Sequence, residues 1–287
     1  MTSFPFKHIL FPVDLSKRGE AAVPVVTAWA QHFNAKVTLL HTVQVPIMSY
    51  GGPDGYPIVI DIPKIEASAK ARLERFKIDV PEVNRVIKTG DPAFETVEYA
   101  GKNDVDLIMM PTHGYGTFRS LLLGSIAAKV LHDAHCPVWT SAHKEEVPVE
   151  RHVDIHNVLC AIELVPETSA LIRSALELAD AWQAKLRLVH AVPTDEVRPE
   201  KYLEGDLRAA LIKKAGEEIS HLQQDGGTKL DVTIEAGAAS HVVRDAALEC
   251  QADLVITGRG KLHATFGRLR TNTYAIIRDS PCPVLST

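Results

Sequence analysis

Short apolar runs alternate along this chain with longer segments whose apolar residues recur at helical spacing. Residues 8–13 (HILFPV) form the first apolar run, read as a strand. Ser16 then stands where a helix cap belongs, and Ala, Val and Trp fall on one face as far as Phe33. Residues 37–43 predict a second strand. A polar, Gly/Pro-rich stretch follows over 46–63, then a helix to about Ile78 and a third strand at 83–87. Gly90-Asp91-Pro92 combines a tight turn, an N-cap aspartate and a proline suited to the first helical position. Residues 106–110 predict a fourth strand. Ser125 is placed to cap a helix ending near His135, and 137–140 make a short last strand. Near-continuous apolar strands between helices point to a parallel sheet covered on both faces. Such sheets bind ligands beyond the carboxyl ends of their strands, at the point where strand order reverses.

The pattern occurs twice. HILFPVDL at 8–15 returns as NVLCAIEL at 157–164, and AKVTLLHTV at 35–43 returns as AKLRLVHAV at 184–192. His41 and His190 are 149 residues apart, as are Asp14 and Glu163. The DLI at 106–108 and the DLV at 253–255 differ by 147, and the two CPV triplets at 136 and 282 by 146. A period this long is a domain duplication, since solenoid units run about 20–50 residues. The seam, residues 141–156, carries clustered charge and a proline without helical periodicity, and reads as an exposed linker. The expected architecture is α/β, two tandem doubly wound parallel-sheet domains over residues 1–142 and 153–287.

Composition narrows the function. Hydrophobic residues make up 46% and charged residues 23% of the 287, an ordinary globular mix for two domains. The net charge of −5 gives no basic excess of the kind nucleic-acid binders carry, so no nucleic-acid partner is expected. The four cysteines are scattered without a CxxC pair, which favours small core thiols over disulfides or metal. The N-terminal MTSFPFKHILFPVD has neither a long apolar run nor a small-residue cleavage site. No apolar run reaches the ~18 residues of a membrane span, so the expected location is cytoplasmic, with no membrane partner.

The candidate chemistry lies after the fourth strand, in MPTHGYGTFRSLLLGS at 110–125. Gly114 lacks a Cβ, so backbone N–H groups there can approach an anion closely. Gly124 and Ser125 open a helix, whose free N–H groups and dipole favour negative charge by ~0.3–1 kcal/mol when exposed. The combination MPTHG, LLLGS and CPV resembles the universal stress protein family, and the resemblance spans both halves. Members that bind ATP carry Gly-x2-Gly-x9-Gly-(Ser/Thr) at this point. Here Gly114, nine residues and Gly124-Ser125 match, while Pro111 stands at the first glycine and removes one N–H donor.

That resemblance implies an adenine nucleotide alpha-hydrolase-like fold and a set of contacts. Pro12, Val13 and Asp14 end the first strand, with Asp14 accepting from ribose or adenine. Thr42 holds the adenine edge through its backbone. Met110, Pro111, His113 and Gly114 line ribose and phosphates, and Gly124, Ser125 and Ile126 clasp the phosphate tail. It further implies ATP or a related adenine nucleotide, with Mg²⁺ or Mn²⁺ on the phosphates. The last strands of the two domains would pair into an intrachain pseudo-dimer, and association of two such chains into a homodimer stays open.

The second copy departs from the pattern. Lys261 stands for Gly114, Thr271-Asn272 lie near the Gly-Ser position, and Glu163 replaces Asp14. Arg259, Lys261, Arg268 and Arg270 can hold an anion with side chains, or form a solvated basic loop on a degenerate copy. His41 and His190 read as hydrogen-bonded packing residues, and His132 and His135 as complements to a helix dipole. Trp29, Trp139 and Trp182 read as core or interface. There is no GxxxxGK[ST], no dinucleotide fingerprint and no nucleophile elbow. Two functions stay open: a stress-response protein that binds an adenine nucleotide in its first domain, with regulatory output and slow or no hydrolysis, or a stress scaffold or chaperone-like module without nucleotide.

Overall fold

The structure, a computed structural model, describes residues 5–44, 61–112, 123–142, 153–193, 204–259 and 268–287. The first half runs β1 (His8–Pro12), α1 (Lys17–Ala21), α2 (Val23–Phe33), β2 (Lys36–Val43), α3 (Ile62–Glu74), β3 (Glu82–Thr89), α4 (Pro92–Lys102), β4 (Leu107–Met110), α5 (Ser125–Asp133) and β5 (Val138–Thr140). The second half runs β6 (Asn157–Ala161), α6 (Thr168–Ala181), β7 (Lys185–Val192), α7 (Glu204–Asp225), β8 (Asp231–Ala236), α8 (Ala239–Glu249), β9 (Leu254–Thr257), α9 (Arg268–Asp279) and β10 (Val284–Ser286).

The expected strands are all present. Two helices differ from expectation in their extent. The segment from Ser16 to Phe33 breaks into α1 and α2 around Ala22. Pro24 explains it, because its ring excludes the carbonyl four residues back and it has no N–H to give. At the start of α2 the same proline costs nothing. The third helix begins at Ile62, capped by Asp61, and stops at Glu74 rather than near Ile78.

The strands form one sheet in the order β3-β2-β1-β4-β5-β10-β9-β6-β7-β8. Pairing is parallel within each half, and β5 meets β10 antiparallel, with Trp139 opposite Leu285. The repeated DL(I/V) triplet has a structural reason. The Asp106 carboxylate accepts the N–H groups of Lys7 and His8 at 2.8 and 3.0 Å, and Asp253 accepts those of His156 and Asn157 at 2.8 and 2.9 Å. Each aspartate therefore pins the first strand of its half beside the fourth.

Helices cover both faces, and each face has one core shared by the two halves. On one face α2 and α3 continue into α6 and α7; on the other, α4 and α5 continue into α8 and α9. Trp29, fully buried, lies 5.9 Å from Trp182 between ring centroids, and His32 stacks on Trp182 at 3.8 Å and 7°. The end of the seam is packed rather than exposed, since Ile155 belongs to this core. All four cysteines are free thiols, and burial pushes Cys160 and Cys282 up to about 12.

Candidate functional site

In the first half the strand order reverses between β1 and β4, and a cavity of about 1000 Å³ opens at the carboxyl ends there. Pro12, Val13 and Asp14 enter it from β1, Thr42 from β2, Met110 and Pro111 from β4, and Gly124, Ser125 and Ile126 from α5. Nine of the eleven expected site residues thus share one cavity; His113 and Gly114 lie outside the described residues.

Local chemistry sets each wall. The Val13 N–H donates to the Leu40 carbonyl at 2.9 Å, which carries the β1–β2 ladder past the strand end. The Val13 carbonyl accepts from Nδ1 of His41 at 2.8 Å, so that nitrogen carries the proton. His190 makes the matching bond to Ile162 at 2.9 Å. Both histidines are hydrogen-bonded at their strand ends, as expected, and His41 also lines the cavity. After Asp14 the chain turns through Leu15 at φ 56°, and the Ser16 N–H donates to Asp14 Oδ1 at 2.9 Å. Gly19 makes this possible, because a Cβ there would sit 2.9 Å from that oxygen.

The opposite wall is the start of α5. Gly124, not Ser125, is its N-cap, at φ −58° and ψ 140°, and no side chain caps the helix. Ser125 is the first helical residue and is exposed. The Gly124 N–H donates to the Thr112 carbonyl at 3.1 Å, and the Ala128 N–H donates to the Gly124 carbonyl at 2.9 Å. The N–H groups of Ser125, Ile126 and Ala127 come before the first intrahelical bond and have no carbonyl within the helix. They stand at the cavity with the positive end of the helix dipole.

One wall was missed from sequence. Lys64, Ser68 and Arg72 line the cavity from α3. Their spacing of four puts them on one helical face, which is the signal that marks them. The Arg72 guanidinium also donates to the Leu15 carbonyl at 3.2 Å, tying α3 to the turn after Asp14.

The second half is built differently at the equivalent place. With the 146-residue offset of the CPV triplets, Ser125 corresponds to Thr271, yet α9 already begins at Arg268. The helix is extended by three residues because Arg270, an ordinary helix former, replaces the glycine that ends the loop in the first half. Burial raises the pKa of Glu163, and a hydrogen bond from Asn272 opposes that rise. The residues standing for Asp14 and for the phosphate clasp therefore bond to each other. Arg259 is likewise committed: its guanidinium donates to the carbonyls of Leu131, Ala134 and Cys136 in the first half, at 3.4, 2.9 and 2.7 Å. This corrects its expected place in a solvated basic loop. Lys261 and the side chains of Arg268 and Arg270 lie outside the described residues.

The sequence profile described as Universal stress protein family matches residues 5–141 and again 154–286. The chain belongs to the universal stress protein family. It is a tandem, two-domain member. Universal stress protein A homolog 1 of Coxiella burnetii is 32% identical over 143 residues, 49% of this chain and 99% of that protein. A universal stress protein of Thermus aquaticus is 33% identical over 134 residues, 46% of this chain and 96% of that one. Each of these relatives is thus about one half of the present chain. A solved universal stress protein structure from Archaeoglobus fulgidus superposes with a TM-score of 0.65 at 22% identity, covering 97% of this chain and 95% of that one, a likeness of fold. Among the described residues no helix is long and apolar enough to cross a membrane.

Proposed function

We propose that the first half binds ATP or a related adenine nucleotide, and that the consequence of binding is regulatory. The observation that carries this reading is the single cavity joining Asp14 at the end of β1 to the side-chain-uncapped start of α5. A carboxylate suited to ribose hydroxyls or a base edge faces a helix terminus suited to phosphate. Lys64 and Arg72 add positive charge to the same cavity, which suits a polyanion. The volume of about 1000 Å³ is ample for a nucleotide carrying its divalent ion. Hydrolysis is slow or nil in this reading, because Asp14 is the one carboxylate among the described residues that line the cavity, with no second acid paired to it.

The β5–β10 pairing supports a second part of the proposal: the two halves act as a pseudo-dimer within one cytoplasmic chain that serves in a stress response.

Acid extraction of the purified protein, with mass spectrometry of the supernatant, tests for bound nucleotide. Calorimetric titration with Mg-ATP should then give close to one equivalent per chain, because Glu163 and Asn272 are bonded to each other in the second half. Two equal sites would show that the second copy still works. A scaffold without nucleotide is the competing reading. Pro111 favours it, since it lines the cavity and offers no N–H. An empty extract together with a flat titration would establish it.

A further inference from the structure

The second half carries an arginine, Arg259, that is spent entirely on the first. It lies two residues beyond β9, and its backbone is fixed in the sheet: its N–H donates to the Thr287 carbonyl at 2.9 Å, and the Thr287 N–H donates to Thr257 at 2.9 Å. From that anchor the guanidinium reaches the carbonyls of Leu131, Ala134 and Cys136, at the C-terminal end of α5 and just beyond it. Tyr274 of α9 adds a hydroxyl bond to the Ala128 carbonyl at 3.0 Å, one turn from the start of the same helix. The helix they hold is nine residues long, and its other end forms the phosphate side of the cavity. With the 147-residue offset of the DL(I/V) triplets, the residue equivalent to Arg259 is Thr112. A threonine has one hydroxyl donor, so that position supplies no guanidinium clamp in the opposite direction.

We infer that Arg259 is a positioning residue for the anion site of the first half: the second copy has exchanged its own phosphate loop for a clamp on α5. This rests on the nucleotide reading of the cavity. A short helix moves as a rigid unit, so freedom at its carboxyl end becomes freedom of the N–H groups of Ser125 and Ile126. A guanidinium on the last carbonyls also complements the negative end of the dipole whose positive end meets the ligand. Holding these N–H groups in place before binding removes an ordering cost that would otherwise subtract from affinity. The clamp touches no ligand atom, so its effect is confined to ligands that use the phosphate end.

The test compares the wild-type chain with Arg259→Met, Arg259→Lys and Tyr274→Phe. Each is titrated with Mg-ATP and with adenosine, and amide exchange is followed across the whole chain, with residues 125–133 compared against the sheet. Arg259→Met should weaken ATP binding by about fivefold or more, leave adenosine binding nearly unchanged and speed exchange in α5 alone. Arg259→Lys keeps the charge but loses the fork, and should fall between wild type and Arg259→Met. Tyr274→Phe removes one bond near the start of the helix and should give a smaller change of the same kind. Equal ATP affinity with unchanged α5 exchange in Arg259→Met overturns the inference. So does an equal loss for ATP and adenosine with faster exchange throughout the sheet, which would make the arginine a general stabiliser. If the wild-type chain binds no adenine nucleotide, the functional reading fails on its own. Exchange confined to α5 in Arg259→Met would then still support the clamp, and unchanged exchange would refute it.

Discussion

Asp14 and Glu163 occupy equivalent positions and meet different neighbours. Asp14 keeps one oxygen on the Ser16 N–H, in a turn that Gly19 leaves open, and faces the cavity. Glu163 is one methylene longer and bonded to Asn272. Its pKa in the folded chain stands above the ordinary 4.5 because desolvation outweighs the hydrogen bond from Asn272. A raised carboxyl pKa means the native state holds its proton to higher pH than the unfolded state does. Stability from this group is therefore full below the unfolded value and is lost as pH rises through the folded one. Glu163→Gln keeps a partner for Asn272 and removes the buried charge. Its melting temperature should exceed that of wild type at about pH 8, and the gap should close by about pH 4. Thermal melts by circular dichroism across that range measure it. A gap that widens toward acid would mean that Glu163 is ionised and paired instead.

At the scale of elements, α5 is the part on which the functional reading turns. Gly124 has an ordinary extended backbone, so its lack of a side chain is not needed for the turn. What glycine supplies there, at a position that lines the cavity, is the absence of a Cβ beside the first N–H groups. Gly124→Val should therefore fold normally while two methyls block the approach of phosphate. Losing two charged hydrogen bonds at about 1.5 kcal/mol each would weaken ATP binding by more than roughly a hundredfold. Titration alongside far-ultraviolet circular dichroism checks both halves of that statement, and wild-type affinity would move the phosphate end elsewhere. Much of this was legible in the sequence, because alternation, the Gly90-Asp91-Pro92 cap and the Gly124-Ser125 pair are local signals. The Asp91 carboxylate does accept the Phe94 N–H, at 2.8 Å. Pro24 was equally local, but the apolar face running through it masked the break between α1 and α2. Lys64, Ser68 and Arg72 carry no local motif, and only the turn after Asp14, which Arg72 bonds at Leu15, brings them to the cavity. Arg259 was illegible for a different reason: its partners are main-chain carbonyls more than 120 residues away, and carbonyls leave no trace in residue type.

At the scale of the whole molecule, the two halves share more than a seam. The antiparallel β5–β10 pairing makes one ten-stranded sheet, and the core on each face draws residues from both copies. Trp182 packs on Trp29, His32 and Phe33 on one face, while Arg259 and Tyr274 bond across on the other. Unfolding one half would expose the apolar surface of the other and exchange the guanidinium–carbonyl bonds for bonds to water, a loss of roughly 1.5–3 kcal/mol per charged bond. The chain should therefore unfold in one cooperative transition. A ligand bound only in the first half should then protect the second as well. ATP at a hundredfold excess over its Kd stabilises the folded state by about 2.7 kcal/mol, which is roughly 5 °C or more in melting temperature at this size. Scanning calorimetry should show a single peak that moves as a whole. Amide exchange in β7 and β8, at the far end of the sheet from the cavity, should slow together with that in β1 and β2. Two calorimetric peaks, with only one shifted by ATP, would show that the halves fold independently and that the shared cores do not couple them.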